Sequence, residues 1–90
     1  MALAQTRLDT DSAGTVVVST TRFKVLGDVY ETLVFAADRQ GRPNMLKELG
    51  RGESKTLRDA YRMHRVICGN FDRVQANLKR VQRYQPFLNN

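Results

Sequence analysis

The stretch Thr15-Val-Val-Val-Ser-Thr-Thr-Arg-Phe-Lys-Val-Leu26, then Gly27-Asp28, then Val29-Tyr-Glu-Thr-Leu-Val-Phe-Ala-Ala37 decides the fold class. Both halves are rich in β-branched and aromatic residues, and Arg22, Phe23, Lys24 and Val25 alternate polar with apolar, the period of a strand. Gly27-Asp28 supplies turn chemistry between them, so the pair reads as an antiparallel hairpin. In its second strand Tyr30, Thr32, Val34 and Ala36 share one face, and Val29, Glu31, Leu33, Phe35 and Ala37 share the other.

Upstream, residues 1–14 are polar and without sustained period, and are expected to be an N-terminal arm. Downstream, Asp38-Arg-Gln-Gly-Arg-Pro-Asn44 is turn chemistry, and Met45–Leu49 reads equally as a short third strand or one helical turn. Gly50-Arg-Gly-Glu-Ser-Lys-Thr56 reads as a hinge that hands over to a helix with Thr56 as N-cap and Asp59 three residues on. It lacks the Gly-x-x-x-x-Gly-Lys-Ser/Thr spacing of a phosphate-binding loop.

From Leu57 the apolar or neutral positions Leu57, Tyr61, His64, Cys68, Phe71, Gln75 and Leu78 recur at alternating spacings of four and three, flanked by Ala60, Ile67, Val74 and Val81. Gly69 is costly inside a helix and Asn70 is a good N-cap. The segment is therefore either one long helix or two consecutive helices broken at Gly69-Asn70, and the unbroken seam favours one. Pro86 marks the end. The expected fold is α+β: an antiparallel β-hairpin over 15–37, with or without a short third strand, a loop over 38–53, and a helical region over 54–85 packed on it, then a tail over 86–90. The seam through Leu78 and Val81 outruns the hairpin, because ~30 helical residues span ~45 Å against ~30 Å for nine strand residues. That excess predicts self-association through Phe71, Leu78 and Val81.

Charge sharpens the picture. The formal charge is +6, yet residues 1–50 hold six cations and six anions, whereas residues 51–90 hold nine cations and three anions. On a wheel of 100° per residue, Arg58, Arg62, Arg65, Arg73, Arg80 and Arg83 fall in one arc opposite the apolar seam, with Lys55 at its edge. Few carboxylates stand four residues away to balance them. The stripe reads either as an ordinary solvated face or as a surface for an acidic partner, nucleic acid included.

Several classes are excluded by composition. No apolar run approaches the ~20 residues of a membrane span, and Met1-Ala-Leu-Ala-Gln5 has neither the basic start nor the apolar stretch of a signal peptide. One Cys and one His cannot build the usual four-ligand zinc site, and a single Cys forms no internal disulfide. His64 and Cys68 share a helix face, but on the apolar seam, where a buried Cys is inert and a lone His is a hydrogen-bonded core residue. No catalytic residue, metal or cofactor is assigned, and the protein is read as not an enzyme.

Tyr30-Glu-Thr-Leu-Val-Phe-Ala-Ala-Asp-Arg-Gln-Gly41, Glu48-Leu49, and Thr56-x-x-x-Ala60-x-x-x-His64 resemble a family of small, uncharacterised proteins of tailed bacteriophages. Members carry a Tyr/Trp-Glu-Thr-Met-Val-Phe strand, a glycine turn, an acidic-Leu segment and a helix opening Thr-x-x-x-Ala-x-x-Gly-His. The resemblance covers residues 29–68; Leu33 stands where relatives have Met, and Met63 where they have Gly. It implies a phage source and a fold rather than an activity. The expected function is a structural or assembly component of the phage particle, acting by protein–protein contacts. The alternative is a small basic regulator or inhibitor that binds nucleic acid or an acidic host protein through the Arg stripe. Expected partners are a second copy and other phage proteins, with nucleic acid under the alternative and no membrane. The expected location is the bacterial host cytoplasm during infection, or the virion.

Overall fold

Val16, Val17 and Val18 are all buried, on both faces of the chain, which places their strand in the interior of a sheet rather than at its margin. The computed structural model describes residues 2–24 and 27–74 and has four strands followed by a helix. These are β1 (Ala2–Thr10), β2 (Gly14–Lys24), β3 (Asp28–Ala37), β4 (Pro43–Ser54) and α1 (Leu57–Gly69). The strands form one antiparallel sheet in the order β1-β2-β3-β4, each paired with its neighbour in sequence. The expected hairpin is therefore the centre of a four-stranded meander, and the α+β class holds.

Two expectations are corrected. Residues 2–10, read as part of an arm, form edge strand β1, with Thr6 opposite Val18 and Leu8 opposite Val16. The turn into β2 is three residues long, and Gly14 closes it at φ 68°, a left-handed conformation that favours glycine. Asp72 holds this turn from the far end of the described chain: its carboxylate accepts from the Ser12 amide at 2.9 Å and from the Ser12 hydroxyl. Those bonds favour the charged form and pull the Asp72 carboxyl below its ordinary range. The second correction concerns Gly50–Ser54, while Met45–Leu49 takes the strand alternative. The supposed hinge is strand as well, because both segments belong to β4. Its pairing is regular from Gly50 (opposite Val34) to Ser54 (opposite Tyr30), but the register slips twice between Ala37 and Val34. These irregularities push Met45 and Leu46 outward, with Leu46 96% exposed.

Helix α1 lies across one face of this sheet. Thr56 caps it as expected, its hydroxyl accepting from the Asp59 amide at 3.1 Å. Replacing Thr56 with Ala should cost about 1 kcal/mol, read as a lower urea midpoint; an unchanged midpoint would show that the cap does not hold the helix. The buried line is Ala60, His64 and Ile67, while Leu57, expected on the seam, is largely exposed. The helix stops at Gly69. Asn70 leaves helical dihedrals at φ −141°, its amide donates to Val66, and its carbonyl accepts from Arg73 and Val74 as a new turn starts over 71–74. Of the two alternatives, the chain takes the break at Gly69-Asn70 across the described residues. The core joins Val16, Val18 and Val34 of the sheet to Ile67 and Phe71, with Leu8, Leu49, Met63 and Val74 against it.

The opposite sheet face is partly closed as well. Arg7, Val17, Phe35 and Glu48 form one row across all four strands. Arg7 lies against Gly41 in the β3–β4 turn, in space that a side chain at 41 would occupy. Val17 and Phe35 are buried in the middle of the row, so Phe35 packs on this face and not against the helix. Beside it Arg51 donates to Glu48 at 3.0 Å and reaches Glu31 at 3.5 Å. The hydrogen bonds to Glu48 raise the Arg51 pKa, so it stays protonated.

Candidate assembly surface

The one histidine is an interior joint. His64 is 6% exposed, and its two ring nitrogens hydrogen-bond threonine hydroxyls on different strands: Nδ1 to Thr20 at 2.8 Å and Nε2 to Thr6 at 2.9 Å. Thr20 in turn shares a hydrogen bond with Thr32 at 2.9 Å, so the network crosses β1, β2 and β3 beneath α1. A hydroxyl both donates and accepts, so either imidazole tautomer is satisfied. Burial disfavours the imidazolium and lowers the His64 pKa from 6.5. Cys68, one turn on, is half-buried; burial raises its thiol, against a smaller opposing effect of a hydrogen bond with Thr6. The arrangement holds a neutral imidazole and a protonated thiol in structural bonds, as the core reading of both residues expects.

The outer features lie along β4. As the last strand of the order, β4 is an edge of the described sheet. Between this edge and α1 runs a groove of about 610 Å³. Its apolar wall is Met63, Val66, Ile67 and Val74, and Val66 is 46% exposed. On the strand side, Gly52 presents bare backbone because the Met63 sulfur occupies the space where a side chain at 52 would stand. The rest of the lining is polar, Ser54 and Arg51 with four exposed charges of both signs, Glu53, Lys55, Asp59 and Arg62.

Of the acidic-partner residues, Arg58, Arg62 and Arg65 stand exposed on α1, and none forms an ion pair among the described residues. Arg73 is exposed too, but it follows the break at Asn70, so the wheel that aligned it with the other three does not carry across. Arg80 and Arg83 lie outside the described residues. Of the self-association residues, Leu78 and Val81 also lie outside them. Phe71 is 5% exposed and packed into the intramolecular core, so its side chain is turned to Val16, Val18 and Val34 and not to a partner. Sequence reading missed Gly52, Glu53, Met63 and Val66. The usable signal was the alternation of Arg51, Glu53 and Lys55 with Gly52 and Ser54, a two-residue period that glycine disguised as a hinge.

No protein-family model matches the chain, and neither do any of the curated proteins or solved structures compared with it. Among the described residues no helix is long and apolar enough to cross a membrane, and no three His, Cys, Asp or Glu side chains cluster as metal ligands.

Proposed function

We propose that this chain is a non-enzymatic assembly component of a phage particle, acting through protein–protein contacts. The observation that carries the reading is the apolar groove beside the open edge of β4, with Val66 exposed inside it. An exposed edge flanked by apolar surface is the ordinary means by which one chain adds to another. The phage source rests on the Tyr30–Phe35 motif and the Thr56, Ala60, His64 ridge, and places the protein in the infected host's cytoplasm or in the virion. Light scattering at ~0.1 M and ~0.5 M salt, with and without a short DNA duplex, tests it. A defined oligomer indifferent to salt and DNA supports assembly.

A second reading is favoured by one observation: Arg58, Arg62 and Arg65 share an exposed helix face without an anionic partner among the described residues. Under it, the protein binds nucleic acid or an acidic host protein. A DNA complex should then weaken by about 0.9 log unit per log unit of salt for each phosphate contacted. The double reversal Arg62→Glu, Arg65→Glu should abolish it while the far-ultraviolet circular dichroism stays unchanged. DNA binding that survives the reversal would make the stripe a solvated face.

A further inference from the structure

Resting on the assembly reading, we infer that the partner at β4 is a second copy of this chain, paired antiparallel about a two-fold axis through Gly52, so that two sheets join into one of eight strands. The regular part of β4 is short, Gly50 to Ser54, because the register slips on its N-terminal side. Within it Arg51 and Glu53 project from the face opposite α1, and Gly50, Gly52 and Ser54 from the α1 face. Pairing about position 51 would set Arg51 against Arg51, and pairing about 53 would set Glu53 against Glu53. Pairing about Gly52 alone sets Arg51 of each copy against Glu53 of the other, twice over by symmetry. Opposite charges directly across an antiparallel pair stabilise it, and like charges destabilise it.

Glu53 is the residue that asks for this. Within its own sheet it stands directly opposite Glu31. Arg51, the near cation, directs its guanidinium to Glu48 and Glu31. Glu53 has no ion pair among the described residues. On the other face Gly52 has no side chain of its own, and Met63 from α1 fills the space beside it. The axis stands perpendicular to the joined sheet, so both α1 helices lie on the same side and the two grooves merge into one trough. Met63 and Val66 line it from both copies. The mixed signs of Lys55, Asp59 and Arg62 along it suit a self-complementary interface, which must meet itself. A wholly basic groove would not.

Sedimentation equilibrium across a wide concentration range, on the full chain at both salt concentrations, tests the pairing. Wild-type protein should be a dimer, or a larger species built from dimers. Glu53→Arg, which creates two Arg–Arg pairs at the axis, should weaken the dimer at least about tenfold, as should Val66→Glu in the trough. Both substitutions are at exposed positions, and circular dichroism confirms that each variant is folded. A wild-type monomer at every concentration overturns this interface and self-assembly together. An oligomer that neither variant alters overturns the β4 interface alone and leaves assembly through another surface. A complex that forms only with DNA overturns both in favour of the Arg58–Arg65 face.

Discussion

Replacing Phe71 with Ala should lower the free energy of unfolding by about 3–5 kcal/mol, the usual cost of emptying a buried aromatic site. Phe71 sits in the described core with Val16, Val18, Val34 and Ile67. It follows the break at Asn70, and its burial in the core holds the turn over 71–74 against the sheet. Domains of this size are stable by roughly 5–10 kcal/mol, so the variant should be near the edge of folding at room temperature. Urea denaturation read by circular dichroism measures the loss. A change of less than about 0.5 kcal/mol, the scale of a surface substitution, together with a lower sedimenting mass, would instead place Phe71 on a face between copies.

His64→Ala should cost about 2–4 kcal/mol, combining a cavity under α1 with hydroxyls of Thr6 and Thr20 that lose a partner. His64→Gln should recover part of it, because an amide supplies both a donor and an acceptor. The histidine also sets a pH dependence whose sign follows from its lowered pKa. Between the folded value and 6.5 the unfolded chain binds more protons than the folded one, so stability rises with pH in that window. The contribution is therefore full above 6.5 and is lost as the pH falls below it towards the folded value. Asp72 titrates below 3.8 and does not enter this range. Urea midpoints from roughly pH 7.5 down to roughly pH 5 should fall for the wild type and fall less for His64→Gln. Equal slopes for the two proteins would remove His64 as the cause.

Sequence patterning revealed β2, β3 and the start of α1, because each carries its signal in large side chains or in a cap. Val16, Val18, Thr32 and Val34 alternate correctly, and Thr56, Ala60 and His64 do what their spacing implies. β1 was invisible for a physical reason. Its inward row is Ala4, Thr6 and Leu8, and the middle member is polar, its hydroxyl meeting His64. The second half of β4, Gly50–Ser54, was invisible for a complementary one. At its inward position 52 it has glycine, and Met63, from the helix, provides the side chain that a strand would ordinarily supply itself. The break at Gly69-Asn70, one of the two alternatives, was ranked second because the heptad-like seam keeps its phase across it. The Arg face could be seen from charge alone, whereas the groove could not, since it exists only once β4 is known to be an edge.

The order β1-β2-β3-β4 has a kinetic consequence. Each strand pairs with the one made just before it, through short connections, so the sheet needs little loop closure and can form from the N-terminus as the chain is synthesised. The bonds that lock β1 are of another kind: Thr6 to His64 spans 58 residues and Ser12 to Asp72 spans 60. The earliest-made strand of this sheet is thus the last to be secured. Until residue 72 has emerged, the nascent chain is a meander whose apolar face is open and whose leading edge is held by β2 alone. Chains that stall or are cut before that point should be the ones that cells aggregate or degrade.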